Sequence, residues 1–448
     1  MRITLVIFPV LLAACTMPMS KEGGCITDND CKGNRICEAS TRTCVDPGAL
    51  AMDMSTSVSD MGRVGGVYLW SQSLGTDPGL FRNSTLGLAS DPQDNIIVTG
   101  FMASPINFGG GTLDHLSGNT FIAKYSSSSL HVWSRNYGTS SAPRGIVNLG
   151  SSTAVAGVFT ASANFGLTTF NTAGGSDIFI ATYDSNGTHL WSKKFGGTGE
   201  DLVSAISKDN SGNIIILGNF STSIDFGTGT LTTSGKRDLF LAKLNSTGAI
   251  LWAKRYGGSE DDYSDMVSID SAGNIIIAGS SNGMINFGGG LINAMGYLAK
   301  FSSDGTHIWS QSFSERISSV TADQQNNIIF SNGSVLTKMR SDGAILWSKP
   351  LSINSTFKDS HLTSDRYLDI IYTTEFSGTA SLGGSLLASS GGTDIAIAKF
   401  SSSGDHKWSY RYGGSGDDRA TANPVVDSKD DIYFGGSAPS VYLLKLSP

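Results

Sequence analysis

The chain has 448 residues, and 31 basic against 38 acidic side chains give it a net charge of −7. No basic cluster offsets this acidic balance, which argues against nucleic acid as a partner. About 385 residues follow the first 63, enough to bury one large core or several.

The N-terminus, MRITLVIFPVLLAAC, has the pattern of a bacterial lipoprotein signal. Arg2 precedes an apolar run that is too short to span a bilayer as a mature helix. Residues 12–15 (LAAC) match a lipobox, so we expect cleavage before Cys15 and lipid attachment to it. An ordinary signal peptide with a chance cysteine is the alternative. The residue after the cysteine is Thr16 and not an acidic residue that would retain a lipoprotein in the inner membrane, which favours an outer-membrane location.

The segment 25–44 holds every other cysteine of the chain: Cys25, Cys31, Cys37 and Cys44. An even number of cysteines in an exported segment predicts two disulfides, with three pairings open. Zinc binding is disfavoured because the segment has no CxxC and no histidine. With Asp28 and Asp30 beside the second cysteine, the segment resembles the small Cys-rich module of some bacterial surface lipoproteins.

These features predict four parts of the chain. Residues 1–14 are the signal peptide, and 15–45 hold the lipidated cysteine and the Cys-rich module. Residues 46–63 lack any strand or helix period and are interpreted as a flexible linker. Residues 64–448 form the main domain, and no second apolar segment in them is long enough to cross a membrane.

The main domain is built from repeats, marked by seven tryptophans about 57–63 residues apart, except for one interval of 38. In the unit 191–251, DLVSAISK alternates like a half-buried strand, and NIIILGNF is a continuous apolar run. DLFLAKL and AILWAKRYG complete four strand candidates, joined by Gly-containing tight turns. No helical period is present.

Four strands per repeat predict an all-β fold, a seven-bladed β-propeller of four-stranded antiparallel blades. The last unit supplies three strands, with its first strand predicted over 419–427, and stops at Pro448. The missing outer strand is predicted at residues 66–70, GVYLW. Its pairing with the last strand would close the ring and remove two raw edges.

The motifs D-x₂-GN-III-x-G, FG-x-G, DLFLAK, G-x-x-LW and GG-x-x-DD resemble the bacterial propeller repeat family called SBBP, across residues 64–448. This resemblance implies the propeller fold and an exported or surface protein, and little about activity. STGAILW also resembles the tryptophan motif of quinone-dependent dehydrogenase propellers. Those enzymes keep paired cysteines and a calcium site in the propeller, and this propeller has no cysteine.

Connections between blades (D–A) and between strands B and C should emerge on one face, which we call the loop face. The D–A loops carry carboxylate pairs, listed as Glu200 and Asp201, Asp261 and Asp262, and Asp417 and Asp418. Such pairs are candidates to hold a ligand or Ca²⁺, the one cofactor under consideration. The alternative, favoured by their repetition, is that they bind backbone N–H groups and start strand A.

The B–C insertions share an NFGGG-like motif that contains Phe108, Phe165, Phe226 and Phe287. Units five and seven lack the insertion, which predicts a raised rim with a notch. The phenylalanines themselves are predicted to fill space between blades. Four histidines lie two residues before a tryptophan on separate blades, and neither His115 nor His361 could be linked to a nucleophile. Residues 279–283 match G-x-S-x-G outside the strand–turn–helix that a nucleophile elbow needs.

The expected function is a lipid-anchored binding or scaffold module of the cell envelope, surface-exposed or periplasmic. Its partner would be a protein or glycan on the loop face, and the propeller itself is expected to be a monomer. A periplasm-facing scaffold, similar to the propeller lipoprotein of the outer-membrane barrel-assembly machinery, is one alternative. Another is a carbohydrate-active hydrolase or lyase in the axial channel, which would require channel carboxylates with a raised pKa. No catalytic residue is assigned.

Overall fold

The computed structural model describes residues 36–38, 43–45, 65–76, 87–355, 359–438 and 440–448. The predictions for the signal peptide, Cys15, Cys25, Cys31 and the linker 46–63 lie outside these residues. Contacts divide the chain into two units, Met1–Leu50 and Ala51–Pro448. In the first unit, Ile36–Glu38 and Thr43–Val45 form an antiparallel hairpin whose register sets Cys37 opposite Cys44.

The second unit is an all-β propeller with seven four-stranded antiparallel blades, which confirms the predicted fold class. Strands are named A to D in their order across each sheet. Blade 1 contains Gly87–Ser90, Ile96–Phe101, Thr120–Tyr125 and His131–Tyr137. Blade 2 contains Ser141–Asn148, Ser152–Phe159, Asp177–Asp184 and His189–Phe195. Blade 3 contains Asp201–Lys208, Ile214–Asp225, Thr230–Leu244 and Ile250–Tyr256. Blade 4 contains Asp262–Ile269, Ile275–Ser281, Gly296–Phe301 and His307–Phe313.

The remaining blades depart from this regularity. Blade 5 contains Ser319–Ala322, Ile328–Ser331, Val335–Met339 and Ile345–Pro350. Blade 6 contains Ser360–Ser364, Ile370–Ser381, Leu387–Phe400 and His406–Tyr412, with Ser352–Ile353 added beside its second strand. Blade 7 contains Arg419–Ala420 and Val425–Val426 as two pieces of strand A, then Ile432–Ala438, Ser440–Leu446 and Tyr68–Thr76.

Blade 7 joins the two ends of the propeller chain in one sheet. Tyr68–Thr76 pairs antiparallel with Ser440–Leu446, the last strand. The prediction of one continuous strand A over residues 419–427 is wrong. Pro424 has no N–H for the ladder, and the strand is interrupted between Ala420 and Val425.

Strands B and C form the core because both of their faces are covered by neighbouring blades. Ile214, Ile215, Ile216 and Leu217 are all fully buried, as the continuous apolar run predicted. Strand A of the same blade alternates between buried and partly exposed residues. The buried clusters therefore span pairs of adjacent blades rather than one blade each.

The B–C insertions form two-stranded ribbons that lie along the sides of the blades. Short strands define three of them, listed as Ile106–Asn107 with Thr112–Leu113, Ser162–Asn164 with Thr169–Asn171, and Met284–Asn286 with Leu291–Asn293. In blades 3 and 6 the ribbon extends strands B and C. A single 3-10 turn, His115–Ser117, follows the first ribbon.

The predicted raised rim with a notch is wrong, because the ribbons fold back. Tyr125 Oη donates to the carbonyl of Phe108 at 3.1 Å, and Gly110 lies against the ring of His131. Tyr125 and His131 flank the C–D turn, at the opposite end of the blade from the B–C connection. The ribbon of blade 1 therefore spans the height of its blade.

The ribbon phenylalanines fill the space between blades, as predicted. Phe165 stacks on Phe179 with ring centroids 4.0 Å apart, in a cluster that also contains Trp133 of blade 1. Phe108, Phe226 and Phe287 are likewise buried, and Leu382 takes this place in blade 6. The B–C insertions thus serve packing between the blades.

A buried ion pair recurs at the A–B turn of six blades. In blade 4, Asp270 Oδ2 lies 2.8 Å from Lys300 Nζ, with both side chains almost fully buried. Asp270 Oδ1 also accepts the N–H groups of Ala272 and Asn274, which closes the turn. The equivalent pairs are Asp91–Lys124, Asp209–Lys243, Asp323–Lys338, Asp365–Lys399 and Asp427–Lys445.

Five of the seven repeated tryptophans form a hydrogen bond from their blade to the next one. Trp133 Nε1 donates to the carbonyl of Ser185, in the C–D turn of blade 2, at 2.8 Å. Lys124 Nζ approaches the same carbonyl at 3.5 Å. At the junction of blades 7 and 1, Trp70 and Lys445 share the carbonyl of Ser127 at 3.0 and 3.2 Å. Further shared carbonyls are those of Ser341 and Ser402.

Blade 2 lacks the ion pair and changes both of its partners. Asn148 stands at the aspartate position and Thr182 at the lysine position of strand C. Asn148 Nδ2 lies 3.4 Å from Thr153 Oγ1, and its Oδ1 accepts the N–H of Gly150. The joint change follows from the cost of a buried charge, because either charged residue alone would lack its counter-ion.

This pattern predicts the outcome of a double-mutant cycle in blade 4. Asp270→Asn or Lys300→Thr alone should lower the free energy of unfolding by about 3–5 kcal/mol, because each leaves a buried charge unpaired. The double variant reproduces the blade 2 chemistry and should cost at least 1 kcal/mol less than the sum of the single changes. Urea denaturation followed by tryptophan fluorescence measures the three values.

The exposed pair Arg340–Asp342 is the control for this cycle. Its double replacement should change the free energy of unfolding by less than about 1 kcal/mol. Additive losses for Asp270→Asn and Lys300→Thr would contradict the ion-pair account.

Candidate binding site in the axial channel

The A strands of the blades surround a cavity of about 620 Å³, which we call the cup. Residues of all seven blades or the loops that lead into them line its wall. The charged ones lie at or near the first residues of strand A, the end that follows the D–A loops. The cup is therefore charged towards the loop face.

Arg316 forms a bridge across three blades at this end. Its guanidinium makes two bonds to Asp265 of blade 4, with Nη2 2.6 Å from Oδ1 and Nε 2.9 Å from Oδ2. Its Nη1 lies 3.0 Å from Asp359 Oδ1, in the segment leading into blade 6. These bonds raise the pKa of Arg316 further. The paired geometry holds both carboxylates in fixed positions.

Glu375 is the most perturbed carboxyl of the cup. It is 5% exposed, and burial raises its pKa to about 7, against the opposing charge of Arg419. The nearby backbone N–H of Ala420 also opposes this rise in the pKa, while Oε2 is buried without a hydrogen-bond partner among the described residues. Thr421 Oγ1, also on the cup wall, is likewise buried without a hydrogen-bond partner among the described residues. Buried unpaired polar atoms are costly, so they mark where a bound molecule would make hydrogen bonds.

His361 fixes the neighbouring blade 7 at the same place. Its Nε2 lies 3.2 Å from the carbonyl of Ala420, and its Nδ1 lies 3.1 Å from Asn423 Oδ1. Burial lowers the pKa of His361, so the ring is neutral at neutral pH. His361 thus holds the peptide of Ala420 through its carbonyl.

The interruption in strand A of blade 7 narrows the cup. Asn423 Nδ2 lies 3.4 Å from Met266 Sδ of blade 4, which is not adjacent to blade 7 in the ring. A side chain of blade 7 therefore reaches across the axis. The break at Pro424 frees residues 422–424 from the ladder, after the last backbone bond from Thr421 N–H to the carbonyl of Gly435, and allows this reach.

The predicted carboxylate pairs are split between surface and interior. Glu200 and Asp417 are exposed and Asp261 is half-buried, whereas Asp201, Asp262 and Asp418 are at most 1% exposed. The second member of each pair therefore lies buried at the loop-face end of its blade rather than exposed on the surface. Asp201 Oδ2 accepts the N–H of Gly197 at 2.7 Å, and Asp262 and Asp418 do the same for Gly258 and Gly414. Backbone binding at the start of strand A is the alternative that this geometry favours.

Each buried aspartate faces another from strand C of the preceding blade: Asp177, Asp238 and Asp394 respectively. Asp394 and Asp418 lie within 3 Å of one point beside Gly413. The strand C member pairs with a cation of strand D, as in Arg411 Nη1 with Asp394 Oδ2 at 2.7 Å. Burial, helped by the facing aspartate, raises the pKa of Asp201 and Asp418 to about 7 and that of Asp262 to about 6.

The junction of blades 1 and 2 has two hydroxyls in these positions. Thr120 Oγ1 and Ser141 Oγ are 2.8 Å apart and hydrogen bonded. The hydroxyl pair indicates that the position requires a hydrogen bond. Two aspartates meet that requirement when one of them carries a proton.

No group of three or more His, Cys, Asp or Glu side chains that could hold a metal ion occurs in the described part of the chain. The Ca²⁺ prediction therefore has no site assigned to it. Ser281 of the G-x-S-x-G match bonds to Gly283 at the end of a strand, not in a nucleophile elbow. No helix of the described residues is long and apolar enough to cross a membrane.

The residues that shape the cup were missed by the sequence analysis. Glu375 occupies the strand B position that Asn219, another cup residue, holds in blade 3, since each precedes the buried phenylalanine of that strand. A carboxylate inside an apolar strand, TTEF in place of LGNF, is a signal that the sequence did contain. The sequence contained no such signal for Arg316, Asp359 and His361, because these residues come together only when the blades are arranged in a ring.

Comparison with known proteins assigns the chain to no family. No family model matches the chain. An uncharacterized WD repeat-containing protein of Acanthamoeba polyphaga mimivirus is 25% identical over 201 residues, which are 36% of this chain and 14% of that protein. The chain thus spans about a seventh of the length of this relative.

Solved propellers are similar over most of the chain at low identity. Inactive virginiamycin B lyase from Staphylococcus aureus, crystallised with quinupristin, covers 85% of this chain and 99% of its own, with 11% identity and a TM-score of 0.48. BBS1N in complex with ARL6DN covers 86% of this chain and 97% of its own, with 9% identity and a TM-score of 0.48. Sqt1 of Saccharomyces cerevisiae covers 86% of this chain and 99% of its own, with 8% identity and a TM-score of 0.45.

The buried aspartates predict a pH-dependent stability. Their pKa is higher in the folded than in the unfolded chain, so their contribution is complete near pH 4 and is lost as the pH rises through 6–7. Asp201→Asn mimics the protonated form. It should raise the free energy of unfolding at pH 8 by about 2–4 kcal/mol relative to wild type and change it little at pH 4.

Urea denaturation at pH 4, 6 and 8 measures this difference. Glu200→Gln is the control, since the neighbouring residue is exposed and carries the same charge. An Asp201→Asn variant that is destabilised equally at all three pH values would rule out the shared proton.

Proposed function

We propose that this chain is an exported binding propeller that holds a glycan or a protein segment in the cup. The observation that carries the proposal is the arrangement of fixed charges around buried, unpaired polar atoms of Glu375 and Thr421. A cavity with a few placed polar groups is the usual form of a ligand site, and 620 Å³ falls in the range of such cavities.

The rigidity of the wall supports binding. Arg316 is held by Asp265 of blade 4 and by Asp359 in the segment before blade 6, and His361 holds Ala420. Groups that are already fixed lose little conformational freedom when a ligand arrives. A glycan fits this wall because its hydroxyls both donate and accept hydrogen bonds.

The cellular setting belongs to the same proposal. A lipid on Cys15 would hold the chain on the outer membrane, and residues 46–63 would tether the propeller through a Cys-rich module stabilised by two disulfides. Membership of the SBBP repeat family and closure of the ring by the N-terminal strand complete it, the latter supported by the pairing of Tyr68–Thr76 with the last strand.

A hydrolase or lyase in the channel is the second candidate, and one observation favours it. Such an enzyme needs a channel carboxylate that is partly protonated near neutral pH, and burial gives Glu375 a pKa of about 7. A proton donor of this kind could protonate a departing sugar oxygen. The scaffold alternative would use the loop face without the cup.

A glycan array with the full propeller tests the cup. Arg316→Met should weaken binding of any selected glycan at least about tenfold, because it unfixes Asp265 and Asp359. Arg340→Met, at an exposed C–D turn, is the matched control and should bind as wild type. Circular dichroism confirms that the variants are folded.

Undiminished binding by Arg316→Met would place the site outside the cup. Mass spectrometry of the incubated glycans separates the two candidates. Shortened products that disappear with Glu375→Gln would favour the enzyme, and intact glycans would favour the binding protein.

The cellular location of the propeller can be tested separately from its ligand. Protease treatment of intact cells should release the propeller by cleavage within 46–63, because tightly packed propellers resist cutting. Immunodetection of the released propeller, with lysed cells as control, is the measurement. Release only after lysis would place the propeller in the periplasm and favour the scaffold alternative.

A further inference from the structure

We propose that the ligand of the cup is a glycan with a free amino group, whose ammonium binds beside Glu375 of blade 6 and Asp359 in the segment that leads into this blade. This inference rests on the proposed glycan-binding function. It adds the charge of the ligand and the residues that recognise that charge.

The unpaired atoms of the cup wall require a ligand group that donates hydrogen bonds. Glu375 and Thr421 are 5% and 9% exposed, and both line the cavity. Glu375 Oε2 and Thr421 Oγ1 are buried without a hydrogen-bond partner among the described residues. An ionised carboxylate oxygen only accepts hydrogen bonds, and a threonine hydroxyl accepts as well as donates. An ammonium group, which has three donors and no acceptor, can therefore satisfy both atoms at once.

Asp359 brings a second carboxylate to the same place. Ser360 pairs with Thr374 across strands A and B of blade 6, and Thr374 Oγ1 donates to the carbonyl of Asp359 at 3.0 Å. Asp359 and Glu375, the residues next to this pair, are therefore close together on the cup wall. Asp359 Oδ1 bonds to Arg316, while the side chain of Asp359 remains 51% exposed. A ligand in the cup can thus reach both carboxyl groups.

Carboxylates outnumber cations on this side of the cup. Arg316 is shared by Asp265 and Asp359, so one cation serves two carboxylates. Glu375 is opposed by the single charge of Arg419. When all five groups are ionised, three negative charges stand against two positive ones. Low-dielectric walls concentrate the field of this surplus, which attracts a cation into the cavity.

The arginines of the other side of the cup are already engaged. Arg237 of blade 3 pairs with Glu200 at 3.3 Å, and its guanidinium lies 5.5 Å from the ring centre of Tyr263. Arg144 of blade 2 also takes part in an interaction with another group. Neither arginine therefore requires a negative charge on the ligand.

The ionisation of Glu375 distinguishes an ammonium from a hydroxyl as the ligand group. Burial raises the pKa of this carboxyl to about 7, so part of its population is ionised at neutral pH. A positive charge beside it favours the ionised form, and the attraction is strong because the site is shielded from water. A hydroxyl could donate one hydrogen bond there but would leave the surplus of negative charge in place.

Isothermal titration of the full propeller at pH 7 with two trisaccharides tests the inference. The first is the β-1,4-linked trimer of glucosamine, and the second is cellotriose, which has a hydroxyl in place of each amine. The glucosamine trimer should bind at least about tenfold more tightly, and this ratio should fall as salt is added.

Glu375→Gln and Asp359→Asn should each reduce the ratio towards one, because each removes a carboxylate charge and keeps the shape of the side chain. Asp359→Asn changes a half-exposed residue, so it keeps the test valid if Glu375→Gln does not fold. Asp342→Asn is the matched control, since it removes a carboxylate at an exposed C–D turn of blade 5 and should leave the ratio unchanged.

The outcomes separate this inference from the proposed function. Equal binding of the two trisaccharides, binding of neither, or a ratio unchanged by both cup variants would overturn the ammonium site. Selection of a neutral glycan on the array would then leave the proposed function in place. Binding of trilysine to the cup, with no glycan selected on the array, would overturn the amino-bearing glycan and favour a protein segment as the ligand.

Discussion

A single carbonyl in each C–D turn organises the propeller. At four junctions it receives the indole N–H of one tryptophan and the ammonium group of one lysine, both from the preceding blade. The lysine is in turn held by an aspartate of the A–B turn, so two turns and two blades meet at one point. The turn glycine is required there, because a Cβ on Gly248 would lie 3.0 Å from the ring of Trp191. These contacts explain why the tryptophan and the turn before it recur in every repeat.

The cup depends on that arrangement. Asp265 of blade 4 and Asp359 before blade 6 reach Arg316 only because the blades are held at fixed angles around the axis. The same rigidity allows departures from the repeat at the centre, where polar side chains replace apolar ones. Glu375 replaces a neutral residue in strand B, and blade 7 gives up part of strand A so that Asn423 can reach Met266. The most irregular inner strand thus lies at the most polar part of the cavity.

The blade count and the inner strands could be predicted from the sequence, because apolar runs such as 214–217 admit few other structures and the repeat fixes their order. The placement of individual side chains could not be predicted from the sequence. Asp201 and Glu200 are neighbours, yet one is buried against Asp177 and the other exposed, which depends on contact with another blade. The sequence of the B–C insertions gave no sign that they fold back along the blade, since that direction is set by contacts with Tyr125 and His131. Ring closure, rather than local pattern, decides which residues share the cup.

Hydrogen exchange of the full propeller with and without a glycan selected on the array, followed by mass spectrometry, tests most directly whether the cup is the functional site. The account predicts added protection in peptides covering 141–148, 359–364 and 419–426, which carry the cup residues of blades 2, 6 and 7. The outer strands, such as Ile250–Tyr256, should exchange as before. Protection confined to those outer strands or to the A–B and C–D turns would contradict it.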